Sequence, residues 1–589
     1  MLNQDETSIF RLAGDPSQTE TVISAICQKG SINLADRDQN GDTLLAAACK
    51  GGNLPLARFL IERCGMNPFE GNHYGRTPFD HATAGIRSAF GFRPGEYIRN
   101  PVFRGFHPDP SVLKVGSDYY LVNSSFAYFP AIPISHSRDL VHWHTIGYAL
   151  TNANWSRLSG KAGGRGYWAA DISYDGSFFF VTATLRDNDG STEPRVQMIV
   201  RSQKPEGPYG EPSWFAIDGI DPALFHTHGR HYMVLNRGCR IVQLNDDCTR
   251  LVSQPTLLWY GSGTRTPEGP HLMEHDGWYY IFLAEGGTGR GHQESCARSR
   301  TLEGPYTPCP HNPILKQQDE DGYLSCCGHG EPVEGPDGSW YFFFLGTRNG
   351  GTPFSILGRE TCLAPMHWDG VGWPIVESPC ALVRIPYAGG ISTTYVSSSP
   401  YPAWKGREWL TPRPLNSDLF AMERDGSLVA KGSKADLWEM EATVLLERQT
   451  ESKGEVTLII ETPTMLDEGD DVGITAYYDE HSYLKYGLAT RKGTLGLLLS
   501  EYLADHYQSE RFLPFPAGKT VTLSMEIDGL DRRFSCSGAA DIVLTDTRYL
   551  ASEGLSCGKR FTGAMLGLYV HGPLVVRFLS WSYRPTEAV

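Results

Sequence analysis

Nowhere in the 589 residues does an uninterrupted apolar run approach the roughly 18 to 20 residues that a helix needs to cross a bilayer, which excludes a helical membrane span. The opening MLNQDETSIFRLAGDPSQTE also lacks the basic start and apolar run of a secretory leader, so cytoplasmic residence is expected. Positive charge is short as well: 52 Lys and Arg stand against 67 Asp and Glu, a net charge of -15. Polyanions are held largely by Lys and Arg that displace counterions from phosphates, so nucleic acid is not an expected partner and a neutral one such as sugar fits better. The 13 cysteines form no Cys-x-x-Cys or Cys/His zinc spacing, the adjacent Cys326 and Cys327 included. Reduced, mostly buried thiols are expected.

What the chain does hold is turn formers and aromatics: 64 Gly, 38 Pro and 11% Phe, Trp and Tyr. Its length is several times that of a usual domain, so two to four domains are expected. Residues 1–92 contain NGDTLLAAACKGGNLPLARFLIE, a turn followed by two short helices with apolar residues at helical spacing. The turn returns as YGRTPFDHA, with Gly41 and Thr43 recurring as Gly75 and Thr77, and the 34-residue step resembles the ankyrin repeat. So short a stub cannot cover its own apolar face, and packing on the next domain or on another subunit is expected.

Residues 93–388 change to short aromatic strands such as SDYYLVNSSF, GSFFFVTAT, GWYYIFLA and GSWYFFFLG, separated by Gly, Asp, Asn or Pro turns. Their grouping at intervals of fifty to sixty residues suits four-stranded sheets arrayed around a central channel. Residues 389–589 follow a Pro/Ser-rich connection with further strands, including DLWEMEATVLLERQ and GEVTLIIET, in the alternation of two packed sheets. The expected fold is therefore mainly β: a propeller, then a β-sandwich, behind a small helical segment.

Three carboxyls sit in unusual local settings. Asp109 lies between two prolines just before a strand, Asp221 repeats the Asp-Pro-strand arrangement, and Glu268 stands between Pro267 and Gly269 ahead of aromatic residues. Hydrolysis of a glycosidic bond needs one protonated carboxyl to assist the leaving oxygen and one ionised carboxylate to activate water or attack carbon. A desolvated Glu268 suits the acid, and a nearby third carboxylate would help keep it protonated by like-charge repulsion. Turn punctuation is the competing account of each Asp-Pro.

The stretch NPVFRGFHPDPSVLKVGSDYYLVNSSFAYFPAIPISHSRDLVHW resembles the first blade of glycoside hydrolase family 43, the β-xylosidase and α-L-arabinofuranosidase group. YWAADISY, GIDPALF, TPEGPHLMEHDGWYYIFLAEGGTGRGH, GPYTPCPHNPIL, GHGEPVEGPDGSWYFFFLG and LGRETCLAPMHWDGVGWP agree with further blocks in the same order. The resemblance implies a five-bladed propeller and an inverting reaction, with Asp109 as base, Asp221 as modulator of the acid and Glu268 as proton donor. Inversion in turn predicts catalytic carboxyls about 6.5 to 9.5 Å apart. Phe126 and Trp168 fall at sugar-contacting positions, with blade core as the other reading. His329 matches a histidine near the channel centre, Arg359 a sugar-hydroxyl contact. No cofactor is expected, a structural calcium ion near His329 being left open. One departure is Gly330, where many relatives carry Ala or Ser, a change expected to affect the pocket floor. The last segment, with Arg448 and Gln449, resembles the sandwich of the larger β-xylosidases, from which a loop closes the pocket.

Release of xylose from non-reducing ends of small oligosaccharides is the preferred reading. An α-L-arabinofuranosidase is the near rival, and a non-catalytic glycan-binding adaptor belongs to a different class. A homo-oligomer is left open.

Overall fold

A strand buried on both faces reads as a continuous apolar run, and Trp340–Arg348 is one: Phe342, Phe343 and Phe344 are all wholly buried. Successive side chains leave a strand on opposite faces, so this run must satisfy two neighbours at once. Phe342 and Phe344 pack with Tyr280 and Phe282, whereas Phe343 packs with Tyr119 and Leu121. The same division recurs in Trp278–Glu285, where Ile281 and Leu283 join Val234 on the other side. Each buried aromatic of this kind contributes roughly 1.5–3 kcal/mol.

The computed structural model describes residues 4–28, 32–386, 399–555 and 561–586. Five antiparallel sheets follow one another along the chain, each a path of four consecutive strands. They begin with Ser111–Val115, Gly166–Tyr174, Ala223–Thr227, Glu268–His275 and Leu324–Glu334, and the fourth carries an added short strand, Leu315–Lys316. The first strand of each sheet packs against the next sheet, and Leu324–Glu334 returns to Ser111–Val115, so the five close a ring. Tyr97–Arg99, ahead of the first sheet, pairs with Leu382–Arg384, behind the fifth, and ties the ends.

Beyond the ring a seven-stranded sheet and a six-stranded sheet form a sandwich. DLWEMEATVLLERQ is a strand only from Thr443 to Arg448. Its first half turns because Glu439 N–H donates to the Asp436 carbonyl while the Asp436 carboxylate is claimed by buried Lys485 at 2.8 and 2.9 Å. The sandwich is fastened to the ring through Arg448 Nε to Phe106 O (2.8 Å), Arg413 Nε to Lys161 O (2.6 Å) and Tyr128 O–H to Tyr478 O (3.2 Å).

In the front segment, helices Leu44–Lys50 and Leu54–Glu62 begin at the side-chain caps Thr43 and Asn53. The turn ahead of them is duplicated bond for bond. Asp38 N–H donates to Asp42 O and Gly41 N–H to Asp38 O, as Asn72 N–H does to Arg76 O and Gly75 N–H to Asn72 O. Gly41 (φ 79°) and Gly75 (φ 75°) adopt the left-handed backbone that the turn needs. The segment packs on the ring: Arg99 pairs with Asp80 at 2.9 Å, Arg37 with Asp319 at 2.8 Å, and Phe69 lies 5.1 Å from Tyr97. No helix among the described residues is long and apolar enough to cross a membrane.

Candidate active site

Each expected carboxyl stands where a sheet's first strand begins, at one end of the ring. Pro110 separates Asp109 from Ser111–Val115, Pro222 separates Asp221 from Ala223–Thr227, and Glu268 opens Glu268–His275. All three line one pocket of about 230 Å³, together with Phe126, Trp168, His329 and Arg359. The seven residues singled out from sequence are thus brought to a single concavity.

Their backbone is unusual. Asp109, Phe126, Ala169, Asp221, Thr266 and His329, six of the sixteen lining residues, have φ between 41° and 57°. Only a few per cent of non-glycine residues adopt that region, and such conformations gather at ligand sites, where they aim side chains that regular strand geometry would point elsewhere. His329 lies inside Leu324–Glu334, at an irregularity of register between Gly328 and Gly330. Gly330 does not reach the pocket floor: a Cβ there would meet the Phe343 carbonyl at 1.9 Å, so its lack of a side chain serves strand pairing.

Environment separates the three proton affinities. Burial pushes the Asp109 carboxyl up, but the Arg359 guanidinium, His329 and the Ser124 hydroxyl outweigh it and hold Asp109 below the usual carboxylate range. Arg359 Nη1 donates to Asp109 Oδ1 at 2.8 Å and Ser124 Oγ to Oδ2 at 2.6 Å. Glu268 is pushed up to about 7, first by burial and then by the Asp109 charge. Asp221 is raised well above its ordinary value by burial, then by Glu268 and Asp109, although Gly269 N–H donates to its Oδ2 at 3.0 Å. The like-charge contribution to Glu268 thus comes from Asp109, and Asp221 is itself pushed toward its protonated form. His329 and His292 fall to about 3 and about 4, chiefly through burial, and are neutral imidazoles at pH 7.

The aromatic side of the pocket has a member that sequence reasoning missed. Phe561, from the sandwich, stacks on Phe126 at 6.1 Å and 13° and meets Trp168 edge-on at 5.1 Å. Arg359 Nη2 donates to its carbonyl at 3.2 Å. Phe126 is both pocket wall and core, being 2% exposed. Ser124 also went unnoticed: besides serving Asp109, its oxygen accepts from Ala169 N–H at 2.6 Å and so joins the first sheet to the second. Neither had a local signal, because a serine in a strand-to-loop stretch and a phenylalanine in a distant domain become informative only once folding places them. Arg359 Nε and His292 Nε2 are buried without a protein hydrogen-bond partner among the described residues, leaving polar atoms for a ligand's hydroxyls.

Among the described residues, one group of donors has the spacing to hold a cation. Asp171, His271 and Glu331 lie farther along the first strands of three sheets, with ligand atoms within 4.8 Å of one another. Hard cations prefer an all-oxygen shell, and here one donor is an imidazole. Burial raises Asp171 to about 6 and Glu331 to about 7, so a cation would compete with protons.

The profile of glycosyl hydrolases family 43 matches residues 98–374, and that of the β-xylosidase C-terminal concanavalin A-like domain matches residues 405–577. A xylan 1,3-β-xylosidase of a Vibrio species is 35% identical over 528 residues, spanning 80% of this chain and 96% of that protein. The chain belongs to glycosyl hydrolase family 43. A non-reducing end α-L-arabinofuranosidase of Bacteroides ovatus is 30% identical over 503 residues, 81% of this chain and 91% of its own. The crystal structure of a family 43 protein from Bacillus licheniformis superposes with a TM-score of 0.76 at 34% identity, covering 83% of this chain and all of that one. This family 43 protein is a glycoside hydrolase with the family's mainly β fold and its carboxy-terminal sandwich, and its substrate class is oligosaccharide.

Proposed function

We propose that this glycosidase is an exo-acting, inverting β-xylosidase in which Glu268 is the general acid, Asp109 the general base and Asp221 the modulator of the acid. The observation that carries the assignment is the split of proton affinities inside one pocket: Asp109 is held ionised while Glu268 sits near 7. Two carboxyls driven apart by environment mark an acid and a base. In the proposed step Glu268 gives its proton to the glycosidic oxygen as that bond breaks. Asp109 takes a proton from the water that attacks the anomeric carbon from the opposite face. Asp221, itself raised, would act on Glu268 through position rather than charge: its Oδ2 accepts from the N–H of Gly269, next to Glu268. No step needs a cofactor, and a calcium ion near His329 would have a structural role.

Exo action is supported by Phe561, whose packing on Phe126 and Trp168 roofs one side of the pocket and leaves room for a chain end. The ring of five sheets reads as a five-bladed propeller, and the duplicated turn as an ankyrin-like pair. The arabinofuranosidase reading keeps support from the Bacteroides ovatus relative. Comparing kcat/KM on 4-nitrophenyl β-D-xyloside and 4-nitrophenyl α-L-arabinofuranoside decides between them, the proposal requiring the xyloside to be preferred. Proton NMR of the first-formed sugar tests inversion: initial release of α-xylose is expected, and initial release of β-xylose would overturn it.

A further inference from the structure

The chain that leads into Glu268 carries a cation that the proposed mechanism does not use. Residues 260–267 join Thr256–Trp259, the last strand of the third sheet, to Glu268–His275, the first strand of the fourth. Consecutive strands of the third sheet are antiparallel, so this connection and the turn at residues 236–238 both lie at the end of the ring where the carboxyls stand. Gly238 N–H donates to Pro267 O at 3.1 Å and ties the two together. The connection is also anchored from beneath. Ser262 N–H and Thr264 N–H donate to the carboxylate of wholly buried Glu285 at 2.6 and 3.1 Å, and Gly286 N–H donates to Arg265 O at 2.8 Å.

Arg265 therefore stands on a fixed backbone at the rim, exposed, and lines the carboxyl pocket. Its guanidinium lies flat against Gly287, where an added Cβ would be 3.6 Å from Nη1 and 3.8 Å from both Cζ and Nη2. One face is thus covered and the N–H edge is left open. Among the described residues this guanidinium makes no hydrogen bond and no ion pair. The other guanidinium of the pocket, Arg359, is matched by Asp109 at 2.8 Å. Glu268 and Asp221 are pushed toward their protonated forms and do not balance Arg265. Asp218, ahead of the third sheet, pairs with Arg195 at 3.8 Å, and Asp321, ahead of the fifth, with Arg290. In a chain of net charge -15, the mouth beside Glu268 keeps one unmatched positive charge. The same connection begins with an aromatic ring open to solvent: Tyr260 is 55% exposed and lies against Gly238. An open guanidinium fork suits the paired oxygens of a carboxylate, and an exposed ring suits the face of a sugar.

We infer that this side of the mouth receives a leaving group that carries a carboxylate, so that the preferred oligosaccharide has a uronic acid next to the sugar released, held by Arg265. The inference rests on Glu268 being the general acid, because the acid faces the bond to the departing sugar and so fixes which side of the mouth that sugar occupies.

Four aryl glycosides test it: the 3-carboxyphenyl and 3-carbamoylphenyl glycosides of β-D-xylose and of α-L-arabinofuranose. For whichever sugar is hydrolysed, the quantity read is the ratio of kcat/KM on the charged glycoside to kcat/KM on the neutral one. Arg265→Gln should lower that ratio about fivefold, the worth of one partly exposed ion pair. Arg265→Lys should restore most of it, and raising NaCl to about 0.5 M should lower it in the parent by screening. Because each ratio is taken within one protein, neither the acidity of the two phenols nor the amount of folded enzyme enters the comparison. A ratio unchanged in Arg265→Gln would overturn the inference. Glu268→Gln, assayed on the carbamoylphenyl glycosides, separates that failure from failure of the assignment beneath it. Unchanged kcat there would remove the acid and the inference together, whereas a fall in kcat beside an unchanged Arg265 ratio sinks the inference alone.

Discussion

Arg359 holds Asp109 ionised and at the same time opposes the rise of Glu268, so its removal should move both limbs of the pH profile. On the proposed mechanism the parent needs Asp109 charged and Glu268 protonated, and kcat/KM should fall as pH rises through about 7, where Glu268 loses its proton. In Arg359→Ala the acidic limb should move to higher pH, because the base no longer has a cation beside it. A pH profile of kcat/KM from 3 to 9 reads both, and an unmoved acidic limb would refute the pairing as the cause. Glu268→Gln should lower kcat by about 10²–10⁴ on a poor leaving group and less on an activated aryl glycoside, which departs without a proton. Ser124→Ala removes the 2.6 Å bond to Asp109 and the acceptor of Ala169 N–H. Loss of about tenfold in kcat, with the acidic limb displaced upward, is expected.

At the scale of elements, the site depends on where strands begin. The Asp-Pro-strand units around Asp109 and Asp221 were legible in sequence because proline fixes local geometry and the strands beyond are aromatic. The left-handed φ of both aspartates was not, since neither composition nor periodicity encodes it. The half-strand, half-turn division of DLWEMEATVLLERQ was hidden for another reason: it is set by Asp436 meeting Lys485, a contact between segments far apart in the chain. Phe561 was invisible on the same ground. Gly269 has φ 57° and its missing Cβ would meet the His329 ring at 3.0 Å, immediately beside Glu268. Gly269→Ala should therefore cost about 1–3 kcal/mol in stability through backbone strain and lower kcat, measured by denaturant unfolding and by steady-state rates. Phe561→Ala should raise KM several-fold while leaving the pH limbs in place, because it touches the aromatic wall and not the carboxyls.

For the whole molecule, the front segment and the sandwich stand in different relations to catalysis. None of the residues lining the carboxyl pocket comes from the front segment, yet that segment covers Tyr97 and grips Arg99. Deleting residues 1–92 should lower the melting temperature by several degrees and leave kcat/KM within about twofold, read by calorimetry and an aryl-glycoside assay. Deleting the sandwich should do far more, because Arg348 of the fifth sheet would lose a buried partner, Glu451. Asp109 and Phe561, which line one pocket, come from widely separated parts of the polypeptide. A nascent chain emerging from the ribosome can complete the ring and assemble its three carboxyls well before Phe561 is synthesised. Until translation is almost finished the newborn protein therefore holds a cleft from which one aromatic wall is still missing.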